Sequence, residues 1–171
     1  MPNKKNKKDM LILTCLRANA RETLTSISKK TRIPISTIYE RLKALELVTI
    51  KKHTSLLDFS SLGFMTWVMV AIKSDREQRQ ELSNYLSKHT NVNSLFKINN
   101  GYDFLIEGVF RHIKDLEDFM ETLETKFSIK EKQVFYLINE LKRESFLDDQ
   151  ALIDFIINSV WIIMFIMSVP K

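Results

Sequence analysis

The sequence predicts an α+β chain in two parts, three short helices followed by a βαββαβ unit. Three observations carry that expectation. Apolar residues recur at helical spacing through Glu46 but at mixed helix and strand spacing beyond Gly63. An Ile33–Pro34 break separates two short amphipathic segments, and an Asn99–Asn100–Gly101 turn joins two runs rich in β-branched and aromatic residues.

A chain of 171 residues, 44% apolar with three Gly and three Pro, is ordinary folded material with no low-complexity tract except a basic leader over residues 1–8 (Lys4, Lys5, Lys7, Lys8). The net charge of +5 is unevenly divided: residues 1–53 carry +9 and residues 54–171 carry −4. Clustered Lys and Arg favour a polyanion by releasing its counterions, although a merely solvated basic surface has the same composition. Cys15 cannot form an internal disulfide and no signal-peptide pattern opens the chain, so the expected compartment is the cytoplasm.

The first domain is expected over residues 9–57. Asp9 suits a helix N-terminus, and Ile12, Leu13, Leu16 and Ala20 line one side of the first helix, with Cys15 a small buried side chain. Thr23 caps a short second helix. In the third, Ile35, Ile38, Leu42 and Leu45 fall within a narrow arc, while Ser36, Thr37, Glu40, Lys43 and Ala44 lie opposite. Two helices joined by a tight Pro-containing turn, the second with a short polar outer face, describe a helix-turn-helix whose third helix fits a major groove. Leu47–Ile50, a tip at Lys51–Thr54 and Ser55–Leu57 read as a small wing hairpin.

After a linker over residues 58–63, the second domain is expected over 64–147. Its elements are a strand Met65–Ile72, a helix Arg76–Lys88, strands Val92–Ile98 and Phe104–Val109, a helix marked by Leu116, Phe119, Met120, Leu123 and Phe127, and a strand Gln133–Leu141. This is the ferredoxin-like order, a four-stranded antiparallel sheet with both helices on one face. The other face should be polar in a monomer, yet Met65–Ile72 is apolar on both faces apart from Thr66, and Val134–Ile138 is apolar throughout. Twofold self-association is the simplest source of a cover.

In order and spacing the residues resemble the Lrp/AsnC family of leucine-responsive-type regulators, in its archaeal form, over roughly residues 9–147. Ile12 to Arg21 is similar to the family's opening helix and its closing Asn-x-Arg. Ile33 to Glu46 is similar to its recognition helix, Leu57-Asp58 with Leu62-Gly63-Phe64 to its linker, and Asn100-Gly101-Tyr102-Asp103-Phe104 to its Gly-x-Tyr-Asp turn. Leu47 stands where the family usually has Gly, so the helix end must be made differently. The resemblance implies a homodimer or higher homo-oligomer that binds double-stranded DNA and responds to a small amino-acid effector, with Asn100, Gly101, Tyr102 and Asp103 in the effector site. The residues alone also allow Gly101 to be a plain turn glycine and Asp103 an exposed edge residue.

Base contacts are expected from Ser36, Thr37, Tyr39, Glu40 and Lys43, and backbone contacts from Arg21, Arg32, Arg41, Lys51 and Lys52, with Arg41 alternatively pairing with an acid. A winged helix used only for protein contact, or a membrane-tethered adaptor without specific DNA readout, is the alternative. No enzyme, cofactor or metal site is expected: His53, His89 and His112 are scattered, and no Gly-rich phosphate loop or nucleophile–base pairing is visible. Residues 148–171 form an apolar tail without a family counterpart, expected as a helix. From Phe155 to Val169 a helix rises roughly 22 Å, short of the roughly 30 Å hydrocarbon core, so packing into an assembly competes with membrane association through residues 151–170.

Overall fold

The computed structural model describes residues 7–149 and Ile153. The first residues of the leader and nearly all of the apolar tail lie outside the described residues. Among those described, no helix is long and apolar enough to cross a membrane. The chain divides into a helical unit, built from Met1–Ser55 and Lys142–Lys171, and a sheet unit, Leu56–Leu141.

The helical unit contains α1 (Lys7–Ala18), α2 (Leu24–Thr31) and α3 (Ile35–Val48). Their apolar stripes meet at Ile12, Cys15, Ile27, Ile33, Ile38 and Leu45, with Leu11, Leu13, Leu16, Leu24 and Ile50 at the margin. The Thr23 hydroxyl accepts from the Ser26 N–H at 3.2 Å, the expected cap of α2. At the other end of α2, Arg32 takes a left-handed conformation (φ 58°) and its N–H bonds Ser28 O at 2.8 Å. The chain then reverses through Ile33–Pro34, and the fixed φ of Pro34 leads directly into α3.

Two expectations fail on α3. Ile35 is 46% exposed rather than inward, because it opens the helix at the edge of the apolar arc, before the turn that packs. The wing hairpin over residues 47–57 is absent: no residue of that stretch is in a strand. With Leu47 in place of a residue that enters the left-handed region readily, the helix runs on to Val48, and the N–H groups of Thr49 and Ile50 both bond Leu45 O, at 2.7 and 2.8 Å. Leu47 and Val48 therefore point to solvent at the end of a helix, 86% and 85% exposed.

In the sheet unit, β1 (Thr66–Ser74), α4 (Arg79–Lys88), β2 (Val92–Lys97), β3 (Phe104–Phe110), α5 (Ile113–Lys126) and β4 (Ile129–Tyr136) follow in the expected order. The strands pair antiparallel in the order β2-β3-β1-β4. Val68, Val70 and Ile72 of β1 and Phe104, Ile106 and Phe110 of β3 pack against Leu82 and Leu86 of α4 and Leu116, Phe119, Met120 and Leu123 of α5. β4 begins and ends earlier than the expected Gln133–Leu141. Lys130, Glu131 and Lys132 disguise its start as a loop, yet on an edge strand their charges reach Asp75, Lys73 and Glu124. Past Leu137, whose N–H still bonds Trp67 O at 2.9 Å, Ile138 and Leu141 are almost fully exposed. α4 starts at Arg79 rather than Arg76 because a turn comes first, with the Gln78 N–H on Asp75 O at 3.1 Å.

Gly108 marks a tight point of this core. It sits on β3 opposite Val68, and a Cβ there would lie 2.7 Å from the Phe110 ring and 3.3 Å from Val68 Cγ2. Gly108→Ala should therefore cost about 1–3 kcal/mol through overpacking, read as a lower urea midpoint; an unchanged midpoint would show that Phe110 has room to turn.

His89 stacks between Tyr85 and Phe119, with ring centroids at 5.6 and 4.6 Å, and its Nδ1 accepts from the Asn91 N–H at 3.3 Å. Burial first, and the charge of Lys126 second, hold its pKa below the ordinary 6.5. The unfolded chain thus binds a proton at this residue before the folded one does, and stability is lost as pH falls from 6.5 toward the folded value. In His89→Phe, which keeps an aromatic ring there, thermal melts should lose that part of their acid slope; a slope equal to that of the parent would contradict the assignment.

Candidate nucleic-acid interface

The outward face of α3 is short and polar along its first two turns. Ser36, Glu40 and Lys43 are exposed, Tyr39 is 49% exposed, and Thr37 is half-buried. Tyr39 and Lys43 stand one turn apart, and the Lys43 ammonium lies 4.5 Å from the Tyr39 ring centroid. That contact presents a positive group over an aromatic platform on the side of the helix facing solvent.

The basic residues divide into two sets. Arg21, Arg32, Lys51 and Lys52 are exposed. Arg21 follows the end of α1, where the Asn19 side chain accepts its backbone N–H at 3.0 Å, and Arg32 occupies the turn between α2 and α3. Lys51 and Lys52 follow α3 in a segment without regular structure, so they are not the tip of a hairpin. Arg41 belongs to the other set. Its Nη1 meets Asp9 Oδ1 at 2.7 Å, which ties α3 to the first turn of α1, and the side chains are 30% and 19% exposed. Of the two roles open to Arg41 in the sequence, pairing with an acid of another element is the one observed.

Lys30 is held in the same manner by Glu22. A hydrogen bond from Lys30, and then one from the Ser26 hydroxyl at 2.6 Å, keep the Glu22 carboxyl below its usual range. Its neighbour Lys29 is exposed on the last turn of α2, and the sequence reading missed it. The signal was present as the Lys29–Lys30 pair just before Arg32.

In the sheet unit the Asn100–Asp103 segment forms the expected turn, with Asn100 (φ 67°) and Gly101 (φ 95°) both left-handed. Asp103 is not the exposed edge residue that the sequence allowed. Its side chain is 12% exposed, accepts from the Ser74 N–H at 3.0 Å and pairs with Arg79 Nη2 at 2.9 Å, stapling the turn to the end of β1 and the start of α4. Beside it Ser74 Oγ and Arg79 Nε are buried without a hydrogen-bond partner. The Tyr102 hydroxyl reaches Gln133 Oε1 at 3.4 Å, across to β4.

The open face of the sheet carries a feature the sequence did not announce. Glu107, in the middle of β3, is only 7% exposed, and its carboxylate accepts from Trp67 Nε1 at 3.0 Å, Asn93 Nδ2 at 2.8 Å and Ser94 Oγ. Alternation on β3 would have put Glu107 on this face, but its donors come from two other strands, Trp67 on β1 and Asn93 and Ser94 on β2, and could not be foreseen. Among the described residues no group of three or more His, Cys, Asp or Glu is arranged to hold a metal ion.

Comparison with known proteins agrees with this division. Residues 5–47 match a family described as winged helix-turn-helix DNA-binding, and residues 67–147 match the Lrp/AsnC ligand binding domain. An uncharacterised HTH-type transcriptional regulator of Pyrococcus furiosus is 25% identical over 139 residues, 81% of this chain and 93% of the relative. An HTH-type transcriptional regulator of Pyrococcus horikoshii is 26% identical over 116 residues, 67% of this chain and 77% of the relative. Among solved structures, a Neisseria meningitidis transcriptional regulator in complex with L-Met superposes with a TM-score of 0.77 at 22% identity, covering 83% of this chain and 95% of the other. AsnC of E. coli gives 0.75 at 16% identity, covering 85% and 99%. The structural likenesses establish the fold. The two matched segments together span both units in the family's order, and the chain therefore belongs to the Lrp/AsnC family of DNA-binding, helix-turn-helix transcriptional regulators.

Proposed function

We propose that this regulator reads specific duplex sequences as a homodimer or larger assembly and that a small amino acid modulates it. The observation that carries the reading is the outer face of α3, where Ser36, Thr37, Tyr39, Glu40 and Lys43 offer hydrogen-bonding groups without a bulky aliphatic anchor. In this reading Arg21, Arg32, Lys51 and Lys52 meet the phosphates, joined by Lys29, while Arg41 acts through its Asp9 pair by holding α3 in place. The exposed Leu47 and Val48 favour a protein contact at the last turn of the same helix. DNA at the first turns and protein at the last are compatible.

Lys51→Ala with Lys52→Ala should weaken binding about equally for all duplexes and flatten the salt dependence by up to about two units of slope. Glu40→Ala should instead change which bases are preferred, since a carboxylate accepts from cytosine and repels phosphate. Both are read by selecting duplexes from a random pool and titrating the winners against salt. A double-lysine variant with the parental slope removes that segment from the interface.

The dimer reading rests on the open sheet face, where Trp67, Met69, Leu105, Val109, Phe96 and Phe135 surround Glu107. Phe96 and Phe135 are 51% and 46% exposed in the single chain, so replacing them leaves the core intact. The full chain should sediment as a dimer or larger at micromolar concentration, and Phe96→Asp with Phe135→Asp should shift it toward monomer. A parent chain that sediments as a monomer sinks the reading.

For the effector, the turn Asn100, Gly101, Tyr102 and Asp103 remains the best candidate. The partnerless Ser74 Oγ and Arg79 Nε beside Asp103 offer a ligand one oxygen and one N–H. Asp103 itself supports the site through the bonds it already makes.

A further inference from the structure

Four exposed side chains of α3 fall on one stripe. Ser36, Tyr39, Glu40 and Lys43 stand at positions i, i+3, i+4 and i+7, the spacing by which a helix lying in a major groove turns four side chains toward base edges. Glu40 and Lys43 carry opposite charges three positions apart, a spacing at which glutamate and lysine readily pair. They do not pair here. Among the described residues no carboxylate lies within ion-pair distance of Lys43, and Glu46, three positions after it, faces His53 Nε2 at 3.5 Å instead. The Lys43 ammonium lies 4.5 Å from the centroid of the Tyr39 ring.

A carboxylate and a ring orient a lysine with different consequences. A carboxylate takes up the N–H donors of the ammonium, cancels its charge and is itself occupied as an acceptor. The face of an aromatic ring attracts the cation through its quadrupole and leaves those donors for other partners. With Lys43 on Tyr39, α3 presents a pure donor and a pure acceptor side by side, neither neutralised by the other. The held position matters as well. A lysine free to sweep neutralises whichever phosphate it meets, whereas base reading needs the ammonium in one place, and a side chain ordered beforehand has less conformational freedom left to lose. Ile38, fully buried, carries the packing of this turn, so exchanges at positions 39 and 43 leave the core of the unit intact.

We propose that Tyr39 is a positioning residue for base selection: its ring holds the Lys43 ammonium off Glu40, so that Lys43 donates to the O6 and N7 acceptors of a guanine while Glu40 accepts from the N4 amino group of a cytosine. This deepens the DNA-reading proposal above and rests on it. In the major groove guanine offers two acceptors side by side and cytosine a lone amino donor, which are the groups that match an ammonium and a carboxylate. The two bases belong to the same or a neighbouring pair, because three residues of helix rise only about 4.5 Å. Tyr39 acts through its ring, and its hydroxyl is not needed.

The test begins on the free full-length chain. The Tyr39 ring current should move the Lys43 ε-methylene protons upfield in the parent and in Tyr39→Phe, but not in Tyr39→Leu. Protons at their ordinary position in the parent overturn the contact. Duplexes are then selected from a random pool with parent and variants, and each winner is titrated against salt. The parent should prefer a guanine and, in the same or a neighbouring pair, a cytosine, and Tyr39→Phe should keep both preferences. Lys43→Met should lose about tenfold discrimination at the guanine with its salt slope unchanged; a slope flatter by about one unit shows a phosphate contact and overturns the guanine reading. Tyr39→Leu frees Lys43 to pair with Glu40 and should lose both preferences together. A Tyr39→Leu variant that keeps the guanine preference overturns the positioning role, and one that loses guanine but keeps cytosine overturns the separation of the two charges. Loss of either preference in Tyr39→Phe assigns the role to the hydroxyl and overturns it for the ring. A parent that selects no duplex overturns the DNA-reading proposal and the guanine reading with it, while the ring-current measurement still decides whether Tyr39 holds Lys43.

Discussion

A four-stranded sheet with both helices on one face has a second face to account for. Here that second face is neither polar nor uniformly apolar. Ala71 and Val109 are buried, Phe96 and Phe135 stand half out of the surface, and Glu107 lies among them, accepting from Trp67, Asn93 and Ser94. An ionised carboxylate tolerates an apolar setting only when its oxygens are satisfied, and Trp67, Asn93 and Ser94 do this from β1 and β2, the two strands flanking β3. The face is thus ready to be covered without stranding a charge. Its register also matters, because a slip of one residue in β3 would drive Glu107 into the helix-packed side and turn Ile106 outward.

The same logic of satisfied groups governs the helical unit. Three helices of this length have a small core, a cluster of six buried apolar residues among those described, with a partly buried margin. Polar ties supplement it: Arg41 with Asp9 joins α3 to α1, Glu22 with Lys30 and Ser26 secures the entry to α2, and Ser28 Oγ donates to Ile33 O at 2.7 Å across the turn. Each tie fixes the start or end of a helix. Together they hold α3 at a defined angle, which a helix entering a groove requires.

Much of this was legible in the residues, for reasons that can be named. Ile38 and Leu45 were placed inward by period alone, Thr23 by its hydroxyl next to an apolar stripe, and the β2–β3 turn by Asn-Gly chemistry, each a local rule that the fold obeys. The failures are where a local rule met a tertiary one. Leu47 and Val48 look like the start of a strand, but a helix lacking a stop residue continues through them. Lys130 to Lys132 look like a loop, but on an edge strand their ammonium and carboxylate ends reach partners on β1, in the loop after it and on α5. Asp103 looked like surface because a turn usually is, whereas its partners Ser74 and Arg79 lie 29 and 24 positions earlier and no spacing rule connects them.

The arginine inventory shows how the two jobs of the helical unit interact. Of the four arginines in residues 1–53, Arg17 and Arg41 are committed to carboxylates and carbonyls within the protein, which leaves Arg21 and Arg32 outward alongside lysines. Lysine is a hydrated point charge that neutralises a phosphate without demanding a geometry, while arginine's fork is the better reader of paired acceptors on a base. A surface that keeps its forks for internal ties and faces the polyanion mostly with lysines gains affinity more readily than discrimination. The few polar groups exposed at the start of α3, Ser36, Tyr39, Glu40 and Lys43, are then the side chains available for base selectivity. The two internal arginines serve instead to hold segments of the helical unit in place: Arg41 ties α3 to α1, and Arg17 ties α1 to Glu144 and Phe146.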